Sequence, residues 1–249
     1  MIKKVEKYIR KEISKNGTIC FALIDSENIS NEKISCIVSN AEKCGVKSIL
    51  VGGSTAIDSF ELDNVVKEIK RHVKIPVILF PSNVTGISPN ANAILFSSLL
   101  NSDNPYFITE AQALGAFSIR KYKLEAIPMG YIVIGEGGTI GFIGRARGIP
   151  PEKPNLVAMY ALAAKYMGMR FVYLEAGSGV TSHISSSIVT KVRDVFDDIL
   201  IVGGGIRKLE DAKKIAKAGA DIIVIGNLLE GEDYIFELSK IINGIKNLK

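Results

Sequence analysis

The chain has 249 residues, 47% of them hydrophobic and 23% charged, with a formal net charge of +5, which describes a globular protein able to bury one large core. The basic excess is dispersed and not gathered into a tract interleaved with aromatics; this excludes a nucleic-acid module and suits an anionic substrate or an anionic membrane surface. Three cysteines (Cys20, Cys36, Cys44) and two histidines (His72, His183) lack metal-ligand spacing and point to a reducing, cytoplasmic setting, residues 1–10 lack the apolar core of a signal peptide, and no apolar run reaches the ~18 residues of a membrane span.

Val5, Ile9 and Ile13 recur at helical spacing with lysines between them, predicting an amphipathic helix that lies on the body of the protein and ends at Gly17. Residues 19–24 are continuously apolar before Asp25, the mark of a parallel strand buried on both faces. Ser30 is placed to cap a helix ending near Lys43-Cys44-Gly45. A second strand at 48–51 runs into Gly52-Gly53-Ser54-Thr55, and a helix over 58–71 precedes a strand at 77–80. The rhythm then changes. Residues 81–92 hold two prolines, one glycine and three asparagines, too broken for a helix. A strand at 93–96, a helix over 107–121 and a strand at 127–134 follow. The glycine-rich residues 135–148 read as a mobile loop or lid, or else as a β-hairpin cover. A helix over 155–167 closes on Gly168 and leads to an apolar strand at 171–174. Ser182 or Ser185 caps a helix to Val195. A strand at 199–202 enters Gly203-Gly204-Gly205, and a helix marked by Leu209, Ala212, Ile215 and Ala216 ends at Gly219. A strand at 222–225, then Gly226-Asn227 and a helix over 230–245, complete the chain.

The count is eight strands, nearly all followed by helices. Cys44-Gly45, Met167-Gly168 and Ala218-Gly219 each precede an apolar strand that ends in glycine, a local repeat of the βα unit. Strand–helix alternation demands a parallel sheet. The length matches the ~250 residues typical of a (β/α)8 barrel, and the glycine turns all fall at strand C-termini. The expected fold is α/β: a single TIM-barrel domain over 1–249 with a missing or degenerate third helix, the one due after the third strand.

Side chains alternate along a strand, so Phe171, Tyr173 and Glu175 share one face and Val172 and Leu174 the other. Val172 and Leu174 suit the helix side. Tyr173 and Glu175 then point into the barrel at its C-terminal mouth, where active sites of this fold lie. A carboxylate there needs water, a ligand or a donor. Gly177-Ser178-Gly179 follows and lets a ligand approach the backbone; an ordinary strand end with a Gly-Ser turn is the plainer alternative. Gly203 to Gly205 and Gly226-Asn227 stand after the seventh and eighth strands, the usual phosphate grip, where backbone N–H groups bind the anion without a cationic side chain. Asp25 and Ser54 offer one carboxylate and one hydroxyl for a magnesium ion that leans on substrate phosphates; a lone strand-end aspartate also serves as a helix cap or turn acceptor. Asp197-Asp198 reads as a solvated face on the opposite rim. Arg145 and Arg147, in the glycine-rich segment, meet an anion or form an exposed pair.

Leu23-Ile24-Asp25, Val51-Gly52-Gly53-Ser54, Phe80-Pro81-x-Asn83, Tyr173-x-Glu175-x-Gly177-Ser178-Gly179, Gly203-Gly204-Gly205-Ile206-Arg207 and Gly226-Asn227 appear in the order in which the geranylgeranylglyceryl phosphate synthase family carries them, and the chain resembles that family over nearly its whole length. The wider family includes bacterial heptaprenylglyceryl phosphate synthases. Ser26 and Ser82 depart from the pattern, standing where a proline and a glycine are usual. The resemblance implies a Mg²⁺-dependent prenyltransferase of archaeal ether-lipid synthesis. The 3-hydroxyl of sn-glycerol 1-phosphate attacks C1 of a long isoprenyl diphosphate, usually geranylgeranyl diphosphate, and diphosphate leaves. It implies Asp25 and Ser54 as metal ligands, with Asp25 also essential to catalysis. Glu175 binds the glycerol hydroxyls and acts as general base, and Tyr173 positions the glycerol. Residues Ala176, Gly177, Ser178, Gly179, Gly204, Gly205, Gly226 and Asn227 complete the glycerol phosphate site. A homo-oligomer is expected, a peripheral membrane contact is compatible with the charge, and no nucleic acid is involved. Three other readings stand beside this one: the same chemistry with another prenyl length, a phosphosugar isomerase or lyase, and a non-catalytic phosphate-binding barrel. The absence of lysine at the strand ends counts against the lyase, and the pairing of Asp25 with Glu175 counts against the inert barrel.

Overall fold

Parallel strands hydrogen-bond in sequence order and the last returns to the first, closing a barrel of β1 to β8. The computed structural model describes residues 2–25, 31–52, 58–178 and 183–248. The strands are β1 (Ile19–Asp25), β2 (Ser48–Gly52), β3 (Val77–Leu79), β4 (Ala93–Leu99), β5 (Glu125–Gly137), β6 (Phe171–Ser178), β7 (Ile199–Gly203) and β8 (Ile222–Ile225). Helix α1 (Lys4–Asn16) precedes them, and α2 (Asn31–Cys44), α3 (Ser59–His72), α4 (Ala111–Tyr122), α5 (Gly138–Ile143), α6 (Pro154–Tyr166), α7 (Ser186–Arg193), α8 (Leu209–Lys217) and α9 (Tyr234–Ile245) lie between or after them. The architecture is a (β/α)8 TIM barrel.

The continuous apolar runs of the strands follow from burial on both faces. Phe21, Leu50, Ile78, Met129, Phe171 and Ile201 fill the barrel interior. Their neighbours Ala22, Val51, Leu79, Val172 and Val202 pack outward under the helices. The alternation expected of Phe171, Tyr173 and Glu175 against Val172 and Leu174 is the one observed.

Helix α1 plugs the N-terminal end. Val5 and Ile9 join the interior cluster, and the amides of Val5 and Glu6 donate to the Glu125 carboxylate at 2.7 and 2.8 Å, a negative charge at a helix N-terminus. Glu6 is itself buried and bound by Arg10 and Arg170, each at 2.8 Å. Arg10 also reaches Asp198 at 2.8 Å. Asp198 therefore belongs to the ion network that seals the floor and is not part of a bare solvated face. Asp197 does stay exposed, paired with Lys165.

No helix links β3 to β4, as the prolines and asparagines of 81–92 predict. The segment is instead tied to α3. Asp63 accepts from the Ser88 hydroxyl at 2.6 Å and the Asn90 amide at 2.7 Å, and pairs with Lys67 at 2.7 Å. Lys70 donates to the Asn90 carbonyl at 2.7 Å, and Asn92 accepts from the Val77 amide at 2.9 Å. A gap is left over the outer faces of β3 and β4, between this segment and α4.

Residues 135–148 form no β-hairpin. They fold into α5, and Ile134 and Ile149 bridge in parallel below it. The glycines serve close backbone packing: a Cβ at Gly148 would overlap the Gly135 carbonyl, and one at Gly141 the Glu136 carbonyl. Arg145 is exposed and pairs with Asp103 at 3.0 Å. The helix expected over 107–121 divides into a π-turn (Tyr106–Glu110) and α4, and the last helix begins at Tyr234, after a 3-10 turn (Asn227–Glu230). Ser185 caps α7 through the Ile188 amide at 3.4 Å. Ser30 and Ser182 lie outside the described residues.

Candidate active site

The C-terminal strand ends bring the expected residues to one place. Asp25, Tyr173, Glu175, Gly204, Gly205, Gly226 and Asn227 line a single cavity of about 430 Å³. Not every expected member faces it. Ala176 packs outward under the helices. Gly177, with φ +115°, donates its amide to the Glu175 Oε1 at 2.6 Å and so holds the carboxylate. Ser178 ends β6, and its side chain, like Gly179 and Ser54, lies outside the described residues.

Glu175 is 6% exposed and is met by three donors. The Gly177 amide takes one oxygen, Tyr131 Oη approaches Oε2 at 3.4 Å, and Tyr173 donates to the same carboxylate. Burial pushes its carboxyl above the ordinary range, and the Gly177 amide and the two phenols pull the other way because they bind the ionised form. Both tyrosines are pushed far up, by burial first and then by the charge of Glu175, so they remain neutral donors. Phe80 stacks on Tyr173 at 5.3 Å, and Tyr131 meets both rings edge-on at 5.2 and 5.3 Å. Tyr131 did not stand out in the sequence, where it is one aromatic in an apolar strand. Its signal is the register: Tyr131 pairs with Tyr173, and Val133 with Glu175.

Beside this group lies a cradle of backbone. Gly204 and Gly205 adopt φ of +84° and +71°. A Cβ at Gly203 would overlap the Tyr173 hydroxyl, and one at Gly204 would come within 2.5 Å of Glu175 Oε1. Side chains are excluded there, so amides are what β7 presents to the cavity. Gly226 and Asn227 close the cradle from the end of β8.

The cavity continues sideways through the gap left by the absent helix. Val84 and Ile87 from the irregular crossover, Ile94 and Phe96 from the outer face of β4, and Ala111, Gly115 and Ile119 from α4 make its walls. This apolar groove was not located from sequence, because its walls come from three separated segments and include side chains that point away from the barrel axis. No cluster of three or more His, Cys, Asp or Glu suited to a metal occurs among the described residues. Asp25, half-buried at the end of β1, is the hard oxygen donor on the β1 side of the cavity. One carboxylate is consistent with Mg²⁺, which keeps waters and takes substrate phosphate oxygens.

The model of the PcrB family matches residues 12–247. The chain is 52% identical over 246 residues to the geranylgeranylglyceryl phosphate synthase of Nitrosopumilus maritimus (strain SCM1), covering 99% of this chain and 98% of that protein. It is 50% identical over 246 residues to the one from Pyrococcus horikoshii, covering 99% and 96%. Among solved structures, (S)-3-O-geranylgeranylglyceryl phosphate synthase from Thermoplasma acidophilum, in complex with substrate sn-glycerol-1-phosphate, superposes with a TM-score of 0.93 at 40% identity over 99% of each chain. The chain belongs to the PcrB family, together with these geranylgeranylglyceryl phosphate synthases.

Proposed function

We propose that the protein is a prenyltransferase that joins the 3-hydroxyl of sn-glycerol 1-phosphate to geranylgeranyl diphosphate, making the first ether bond of a membrane lipid. The carrying observation is that one cavity holds three unlike parts in contact: an amide cradle, a buried carboxylate with two phenols, and an apolar groove. The cradle suits the phosphate of glycerol phosphate. The groove suits an isoprenoid, whose burial gains about 0.8 kcal/mol per CH₂. Glu175, between them, takes the proton of the 3-hydroxyl as that oxygen bonds to C1 of the allylic chain. The C1–O bond breaks and diphosphate departs with its electron pair. Tyr173 and Tyr131 fix the carboxylate and stabilise it as an anion before the transfer. Asp25, with Ser54, is assigned to Mg²⁺, which would neutralise charge on the diphosphate.

Incubation with glycerol 1-phosphate and allylic diphosphates of several lengths, with product masses and released diphosphate measured, tests this reading. Geranylgeranylglyceryl phosphate is the expected product, a longer ether product would assign a heptaprenyl-type enzyme, and binding of glycerol phosphate without diphosphate release would reject the enzyme. Loss of activity with EDTA, restored by Mg²⁺, is expected.

The expected homo-oligomer is proposed to form through α6. Its solvent side shows Leu156, Met159, Tyr160 and Tyr166 with Met167 just beyond, Met159 at 64% and Tyr166 at 79% exposure. Lys165 lies on another flank of the helix, where it is engaged with Asp197. Apolar, aromatic- and methionine-rich, charge-poor surface is the composition of an interface centre, whereas a helix lying on anionic lipid carries basic flanks. No helix among the described residues is long and apolar enough to cross a membrane. Free thiols at Cys20, Cys36 and Cys44 suit the cytoplasmic assignment.

A further inference from the structure

A cavity that receives two phosphorylated molecules is expected to be basic, yet the charged side chains among the described lining residues are mostly acidic. Asp25, Glu175 and Glu230 face it against one cation among the described lining residues, Arg207. The chain segments that follow β1, β2 and β6 and lie outside the described residues, 26–30, 53–57 and 179–182, contain no lysine, arginine or histidine in their sequence. Amides of the cradle are neutral, and Asp25 is assigned to the metal. A phosphate dianion beside Glu175 and Glu230 is repelled by each of them when ionised, and Arg207 is the cationic side chain of the lining placed to offset that.

Its position and its state both fit. Arg207 lies two residues beyond Gly205, within ~7 Å of chain from the cradle, ahead of the first turn of α8. It is exposed at the mouth. Arg10, Arg71, Arg145, Arg170 and Arg193 are each engaged with a carboxylate, whereas Arg120 and Arg147, for which no such partner is found among the described residues, do not line the cavity. Among the described residues no such partner is found for Arg207. Guanidinium presents a planar fork that matches two phosphate oxygens.

We infer that Arg207 is a phosphate-binding residue that reaches over the Gly204-Gly205 amides and holds the phosphate monoester of the glycerol substrate. The inference rests on the functional reading above. It is tested by calorimetric titration of wild type, R207Q and R207K with sn-glycerol 1-phosphate at several salt concentrations, together with KM for each substrate. In R207Q, affinity for glycerol phosphate is expected to fall about 10- to 100-fold, as for loss of a charge-assisted bond, with a flatter salt dependence and an unchanged KM for the allylic diphosphate. R207K should recover part of the loss. Equal affinity in wild type and R207Q overturns the inference, and so does a loss confined to the allylic diphosphate or one with unaltered salt dependence. Wild type with no affinity for glycerol phosphate would overturn the functional reading and this inference with it, an outcome distinguishable from failure of the variant alone.

Discussion

Burial raises the Glu175 carboxyl, and the Gly177 amide and the Tyr173 and Tyr131 phenols work against that by binding its ionised form. Removing the basic oxygen while keeping the shape, in Glu175→Gln, is expected to lower kcat on the order of 10²-fold or more in a prenyl-transfer assay; a near-normal rate would leave the side chain a binding role only. The pH profile adds a second check. Because burial raises this carboxyl, the acid limb of kcat/KM should lie above the ordinary carboxylate range. Tyr131→Phe removes a donor that favours the ionised form, so the limb should move to still higher pH while the ring packing with Tyr173 and Phe80 persists. An unmoved limb would assign Tyr131 to packing alone. The sign for stability runs the same way: a carboxyl raised in the folded state is accommodated best when protonated, so this group's contribution is full at low pH and is lost as pH rises through its folded value. Asp25→Ala should abolish turnover and leave the thermal transition near that of the wild type.

At the scale of elements, the missing helix after β3 makes the groove. The segment that replaces it is irregular, yet it is held by hydrogen bonds to Asp63 and Lys70 on α3. Asp63→Ala should cost about 1–3 kcal/mol, read from denaturant unfolding, by leaving Ser88 and Asn90 without their acceptor. The opposite wall is α4, where Gly115 sits in mid-helix at a cost of about 1 kcal/mol relative to alanine. A Cβ there would stand 3.0 Å from Ile87 Cδ1, across the groove. Gly115→Leu is expected to block passage and shift preference from C20 to shorter allylic diphosphates by roughly tenfold or more, the discrimination a few methylenes provide. Unchanged chain-length preference would place the isoprenoid elsewhere.

Over the whole molecule, the two ends of the barrel have divided tasks. The mouth keeps neutral amides, glycines and a costly carboxylate, whereas the floor is closed by α1 and the ion network around Glu6. Burial pushes the Glu6 carboxyl up, but bonds from Arg170 and Arg10 outweigh it and hold the group below its ordinary value of 4.5. Its stabilisation is therefore present above that pH and lost as pH falls through the lower folded value. Glu6→Gln should destabilise the barrel by about 2–3 kcal/mol at neutral pH, less than a fully buried pair because both arginines reach solvent, and the difference from wild type should shrink in acid melts. Light scattering tests the other global expectation: Met159→Lys together with Tyr166→Lys should dissociate an oligomer built on α6, and a wild-type monomer would rule that oligomer out.

The eight strands, their glycine ends, the inward face of Tyr173 and Glu175 and the broken third crossover were legible in the residues alone, because strand period, helix period and proline chemistry are local. Strands β4 and β5 extend past the residues expected of them, the helices expected over 107–121 and 230–245 begin later, after a π-turn and a 3-10 turn, and residues 135–148 hold a short helix in which Gly141 and Gly148 serve close backbone contact. What the tertiary structure decided is who meets whom. Tyr131 joins Glu175 through the β5–β6 register, the groove takes its walls from three distant segments, Ala176 packs outward, Gly177 binds the Glu175 carboxylate, and Asp198 joins the floor. Each depends on barrel closure, which brings together residues far apart in the chain.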